Sequence, residues 1–150
     1  MSRYASLAVF LVVVLGGGLL IGYATPPGDW YAALEKPSFN PPGWLFGPVW
    51  SVLYVLIAIA GWRVWRASGN STLRVLWIVQ LVLNFLWSPV FFGAQMPGAA
   101  LVVIIALLLT ILAFIASAWG RDRVAGWLFV PYVAWVAFAT LLNFSIVWLN

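Results

Sequence analysis

The sequence predicts an all-α integral membrane protein, a five transmembrane helix bundle in one 150-residue domain. Three observations carry that fold class. Hydrophobic residues make up 65% of the chain and charged residues only 7%, whereas a soluble domain carries about 25% charged residues. Five apolar runs follow one another, each close to the ~20 residues that span a hydrocarbon core. The only acids, Asp29, Glu35 and Asp122, all lie outside those runs.

The first run covers residues 5–24. Arg3, the apolar stretch Leu7–Leu15 and Gly22-Tyr23-Ala24 have the outline of a secretory leader with a small-residue cleavage site. The apolar run continues through Gly16–Gly18 to Ile21, longer than a leader's core, so the segment is read as a retained helix. Gly18 and Gly22 form a GxxxG pair, which suits close helix packing within a chain or between two chains. Residues 25–43 form a loop, and the stretch Trp30–Trp50 holds three tryptophans and four prolines. Proline has no amide hydrogen and fixes φ, so that stretch is not one continuous helix. Trp and Tyr favour the boundary between water and lipid. An aromatic lid at the mouth of the bundle fits both facts and points towards a hydrophobic ligand.

The second run covers 44–65 and the third 73–92. Only Gly93–Pro97 separates the third from the fourth, 98–119, which makes those two helices antiparallel neighbours. The fifth, 125–148, contains Pro131. Its ring clashes with the preceding turn, which leaves two readings: a kink that opens space beside Trp135, or a bent but fully packed helix.

Charge sets orientation and excludes several functions. Arg3, Arg63, Arg66, Arg74, Arg121 and Arg123 fall on one side of the five runs and only Lys36 on the other. For a cell-membrane protein, the expected location, the positive-inside rule makes the N-terminus cytoplasmic and turns the Trp-rich loop outward. The net charge of +4 is not clustered into a stripe, so nucleic acid is not an expected partner. The chain has no Cys and no His. Thiolate chemistry, an imidazole base, a metal site of the usual kind and a histidine-ligated cofactor are therefore not expected. Proton-coupled pumps usually carry a carboxylate or His inside the membrane, and none stands in these runs.

Several side chains stand out as candidate binding residues. Phe46, Trp50 and Tyr54 recur every four residues and share a face of the second helix. Any one of them alone reads as core packing. As a set leading up into the loop, they could hold a flat ring system by stacking. Trp135 and Phe138 share a face of the fifth helix with Pro131. Gln80, Asn84 and Ser88 make a polar stripe on the third, and Asn143 sits deep in the fifth. Interhelical hydrogen bonds are the simplest use for Gln80 and Asn143. Asn84, one turn from Trp87 and Pro89, could serve either packing or a bound polar group. The arginines read as topology determinants, and Asp29, Glu35 and Lys36 as loop residues rather than acid–base catalysts.

Together these residues resemble the TspO/MBR family, the tryptophan-rich sensory proteins related to the mitochondrial translocator protein (peripheral benzodiazepine receptor). The resemblance rests on Trp30-Tyr31, Lys36-Pro37, Asn40-Pro41-Pro42, Trp44, Phe46, Pro48-Val49-Trp50 and Tyr54. It continues through Asn84, Trp87-Ser88-Pro89, Phe91-Phe92-Gly93, Pro131-Tyr132, Trp135 and Leu142-Asn143-Phe144. It implies a dimeric five-helix protein with a pocket beneath the first loop. Expected ligands are protoporphyrin IX or other tetrapyrroles, synthetic benzodiazepine-receptor ligands, and lipids or sterols. The pocket residues it implies are Phe46, Trp50, Tyr54, Asn84, Trp87, Trp135 and Phe138, with Trp30 and Trp44 at the lid. It implies no bound cofactor and no metal. Two departures stand out. Ser38-Phe39 follow the Lys-Pro pair where several relatives have Trp. The cholesterol motif of the animal proteins is degenerate here, with Phe144 at its tyrosine position and no base after it.

Three functions follow from the resemblance. The first is a receptor-like protein that binds tetrapyrroles. The second is an enzyme that degrades protoporphyrin IX in light, with Trp50 and Trp135 as its catalytic pair. The third is a transporter of porphyrins or other lipophiles. Without His, Cys or a buried carboxylate, ordinary acid–base or nucleophilic catalysis is not expected of the second.

Overall fold

The computed structural model describes residues 2–67 and 69–150. Its long helices are α1 (Arg3–Ala24), α3 (Gly43–Arg66), α4 (Ser71–Gly93), α5 (Pro97–Trp119) and α6 (Arg123–Leu149). A short helix, α2 (Gly28–Ala33), lies in the first loop. The five long helices are long and apolar enough to cross a membrane, and the chain is an integral, multi-pass membrane protein. They pack in a ring in the order α1, α3, α6, α5, α4 and back to α1.

The arginine end of the bundle is densely packed, and small residues make it so. A Cβ on Gly61 would overlap the Trp77 indole there, and where the two halves of the bundle meet one on Gly18 would overlap the Tyr54 ring. Trp77 Nε1 also donates to the Ile57 carbonyl at 2.9 Å, which locks α4 against α3. Ile57, Val64, Leu73, Ile111, Phe114 and Phe129 are fully buried around this contact. Gly18 therefore packs within its own chain. A Cβ on Gly22 meets nothing, so the two halves of the GxxxG pair have different surroundings.

At the same end, Asp122 caps α6 by accepting from the Ala125 amide at 3.3 Å. It also receives a two-pronged contact from Arg63, Nε to Oδ2 at 3.0 Å and Nη2 to Oδ1 at 3.1 Å. Partial burial works to raise the pKa of this carboxyl. The bonds from Arg63, Ala125 and Val124, with the Arg63 charge, outweigh burial and hold it below the usual range.

Both ring neighbours of α3 leave it half-way along. In α1, Arg3–Leu11 and the turn Val12–Gly16 lie along α3, whereas Gly17–Ala24 lean on α4 instead. The change falls at Val12–Gly16, which is wound as a wide π-type turn. In α6, Arg123–Leu128 contact α3, but Val130–Leu149 pack on α5. That change falls at Phe129, a turn residue, with Pro131 in the first turn of the segment that follows. Pro131 has no N–H to offer and its ring excludes the carbonyl four residues back, so the helix breaks just before it. Of the two readings of Pro131, the structure shows the kink. The loop end of α3 is left standing apart, and open space lies on both sides of it.

Candidate ligand-binding cavity

The loop-end half of the bundle encloses a cavity of about 510 Å³, within the ~300–1,000 Å³ usual for small-molecule sites. All five long helices and the loop contribute to its wall. From α3 come Phe46, Trp50 and Tyr54, stacked a turn apart; from α4 come Asn84, Trp87, Ser88 and Phe91. From α6 come Trp135, Leu142 and Asn143, and from the lid Tyr31, Asn40 and Pro41. Among the described residues no charged side chain lines it.

The aromatic wall is held in defined orientations. Trp50 lies 5.5 Å from Tyr54 at an interplanar angle of 31°. Phe46 meets Trp135 edge-on at 5.7 Å. Trp87 stacks on Phe91 at 5.0 Å, and its Nε1 donates to Asn143 Oδ1 at 3.0 Å. Asn143 is fixed in turn by donating to the Pro97 carbonyl at 2.9 Å. Rings held in this way present flat faces without a further ordering cost, which suits a rigid planar guest.

The floor is a polar relay linking three helices. Tyr54 Oη donates to Asn84 Oδ1 at 3.4 Å, and Asn84 Nδ2 donates to Tyr132 Oη at 2.7 Å. Tyr132 Oη donates to Gln80 Oε1 at 2.8 Å, and Gln80 Nε2 donates to the Trp77 carbonyl at 2.8 Å. Buried polar groups need such partners in hydrocarbon, where each bond contributes about 0.6–2 kcal/mol. Asn84 stands at the boundary, lining the cavity while both ends of its amide are engaged below. Gln80, one turn deeper, is wholly inside.

The lid is tied down on the α4 and α6 side. The Glu35 amide donates to Asn150 Oδ1 at 3.1 Å, and Asn150 Nδ2 returns a bond to the Glu35 carbonyl at 3.0 Å. Trp30 meets Phe91 and Tyr31 meets Phe92, both edge-on, and Phe39 packs on Phe138. Lys36 Nζ sits 4.6 Å above the Tyr31 ring. Burial raises the Tyr31 pKa, an effect that the Asn40 side chain partly offsets, so this lining phenol stays neutral.

Of the residues expected at the site, Phe46, Trp50, Tyr54, Asn84, Trp87 and Trp135 line the cavity. Phe138 lies outside it, in an outward groove between α3 and α6 whose wall also includes Trp135. Trp30 stands behind the wall, against Phe91, and Trp44 is 73% exposed. The sequence reading missed Tyr31 and Asn40 of the lid, Phe91, and the cavity position of Asn143. The run Phe91-Phe92 after a Trp-Ser-Pro turn was the available signal for the third of these. Among the described residues three buried polar atoms have no partner; Arg74 Nε is at the arginine end, and the indole Nε1 of Trp135 and Oδ1 of Asn40 belong to residues that line the cavity. Groups of that kind commonly mark where a ligand or water completes a site.

The TspO/MBR family pattern matches residues 8–149. The chain belongs to the TspO/MBR family. Among its TspO/MBR relatives, Protein CrtK of Rhodobacter capsulatus is 41% identical over 147 residues, covering 95% of this chain and 91% of that protein. The Tryptophan-rich protein TspO of Archaeoglobus fulgidus is 40% identical, covering 97% and 95%. The human Translocator protein is 41% identical over 123 residues, covering 78% and 72%. For a TspO/MBR protein, the chemistry of this cavity is narrow. No cluster of three His, Cys, Asp or Glu occurs among the described residues. The walls can stack against a flat molecule and offer it an indole N–H and an amide oxygen. Among the described residues their polar groups are hydroxyls, amides and indoles, with no His, Cys, Asp, Glu, Lys or Arg.

Proposed function

We propose that the protein is a membrane receptor for protoporphyrin IX or a related tetrapyrrole, bound in the cavity beneath the first loop. The observation that carries this is the uncharged cavity walled by Trp50, Trp87, Trp135, Tyr31 and Tyr54. A planar, amphiphilic macrocycle fits that wall, with its carboxylates turned to the loop end, where Lys36 supplies the cation. Three stacked aromatics at ~0.5–1.5 kcal/mol each fall short of the roughly −8 kcal/mol of micromolar affinity, so ring burial supplies the larger share. Synthetic benzodiazepine-receptor ligands, uncharged and aromatic, fit the same walls. The cell membrane, a cytoplasmic N-terminus and a homodimer belong to the same proposal. The orientation is supported by the six arginines gathered at one end.

Titration of purified protein with protoporphyrin IX in darkness, followed by tryptophan fluorescence, tests the reading. Saturable quenching is expected, and Trp135→Leu should raise Kd about tenfold or more, by loss of roughly 1.5–3 kcal/mol of ring burial. Unchanged affinity in that variant removes the pocket assignment.

One placement supports a second reading, as a light-dependent degrading enzyme: Trp50 and Trp135 are both in the cavity wall. The excited ligand and oxygen would then supply the reactivity, with the two indoles as electron donors. Loss of the Soret band only under illumination, slowed by Trp50→Phe or Trp135→Phe, would establish it. A stable spectrum in light would leave receptor or transporter.

A further inference from the structure

The cavity is covered by the lid, yet it is not closed on every side. Over the loop-end half, Gly17–Ala24 of α1 lean on α4 and away from α3, and the facing stretch of α3 carries no buried residue from Gly43 to Val52. The cleft between them narrows at the Tyr54 ring, which lies over Gly18. Towards the loop, Gly22 on one side and Gly43 and Gly47 on the other line the cavity. All three are exposed, and a Cβ added at any of them meets nothing within 4 Å. They are not small in order to let helices touch. Leu19 and Tyr23, also lining, are 48% and 87% exposed.

The lid is fastened elsewhere, by hydrogen bonds to Asn150 just past α6 and by ring contacts with Phe91 and Phe92 of α4 and Phe138 of α6. The route from water thus crosses a fastened loop, whereas the route from lipid crosses a cleft with no charged residue lining it. We propose that the ligand enters and leaves sideways, from the lipid, through this α1–α3 cleft, and that Gly22, Gly43 and Gly47 hold it open. The class of ligand admitted is then one dissolved in the bilayer rather than one arriving from solution. This rests on the cavity being a ligand site, as proposed above, but the doorway can be tested separately.

The chain has no cysteine, so single thiols can be introduced on a clean background. Gly22→Cys and Gly47→Cys place a thiol in the cleft. Gly16→Cys is the control, since Gly16 is exposed, has nothing within 4 Å and does not line the cavity. In nanodiscs, an uncharged membrane-soluble maleimide should modify the two cleft thiols at least tenfold faster than a charged, water-soluble maleimide does. Faster reaction with the charged reagent would mean that the cleft faces water, and would overturn the proposal whatever ligand the protein binds.

Order of addition then separates a blocked doorway from a damaged site. A bulky maleimide attached before protoporphyrin IX should slow association at least tenfold. The same group attached to the preformed complex should slow dissociation at least tenfold, trapping the ligand. Unchanged or faster release from the labelled complex would sink the lateral route. Slowing of the same size in labelled Gly16→Cys would sink it too. Absence of any quenching in the unlabelled protein would instead count against the tetrapyrrole reading, with the reagent comparison still deciding the doorway.

Discussion

The two halves of α3 show how this bundle divides its work. From Leu53 to Val64 the helix buries Leu53, Tyr54, Ile57, Ala58, Ala60, Gly61, Trp62 and Val64 against its neighbours. From Gly43 to Val52 it buries nothing, although that half carries Phe46 and Trp50. In the dense half Ala58, Ala60 and Gly61 let the neighbours close in and Tyr54 and Trp62 fill the remaining space, whereas Phe46 and Trp50 stand on a half from which the neighbours have turned away. Small residues let backbones approach until no gap remains, and large rings held apart by diverging helices can only border a void. An empty, sealed void of this size would cost on the order of 12 kcal/mol at ~24 cal/mol per Å³, about the whole stability of a domain. A cavity that exchanges its contents with the membrane avoids that penalty.

The comparison is broken most directly at its glycines. Gly61→Leu should destabilise by about 3 kcal/mol, because the Trp77 indole has no room to give. Gly22→Leu, with nothing to meet, should stay within about 0.5 kcal/mol of the parent, helped by the better helix propensity of Leu. The midpoints of unfolding in mixed micelles report both, and equal losses would mean that the halves are packed alike. Next in size is the floor between them. Asn84→Ala removes the bridge from Tyr132 to Tyr54 and should cost about 1–2 kcal/mol, whereas Ser88→Ala, in the hollow half, should cost a few tenths.

A smaller effect sharpens the account of the arginine end. The folded pKa of Asp122 lies below its unfolded value of about 3.9. Its contribution is therefore complete above that unfolded value and lost as pH falls through the folded one. Arg63 and Asp122 side chains are 36% and 19% exposed, so screening holds the pair to under about 1 kcal/mol. Asp122→Asn should remove that part of the acid sensitivity while keeping the helix cap. An unchanged pH profile in the variant would remove the Arg63–Asp122 pair as its source. The smallest change expected is at the lid. Asn150→Ala should speed amide exchange at Glu35 severalfold, with little effect on unfolding.

The five membrane helices and the aromatic face of α3 were legible because apolar length and a four-residue spacing are local signals. The polar stripe shows where locality ends. Gln80, Asn84 and Ser88 look equivalent by period, yet their surroundings differ: Gln80 meets Tyr132 deep in the core, Asn84 shares Tyr132 and adds Tyr54 at the boundary, and Ser88 meets Thr25 at the cavity. Which of them is structural depends on where α1 and α6 turn away, and those turns are tertiary facts. Phe138 makes the same point. It follows Trp135 by three residues, roughly 60° short of a full turn, and that offset places it in the outer groove. The lid lining, Tyr31 and Asn40, has no period at all to read.

Two indole pairs at the dense end have an optical consequence. Trp65 and Trp77 have ring centroids 5.5 Å apart, and Trp119 and Trp127 are 5.2 Å apart. At such separations transition dipoles couple, and the pairs should give an exciton couplet in circular dichroism. None of these four rings lines the cavity. The couplet therefore reports the integrity of the bundle while fluorescence quenching reports its contents, so a single sample can show whether a guest has arrived or the host has come apart.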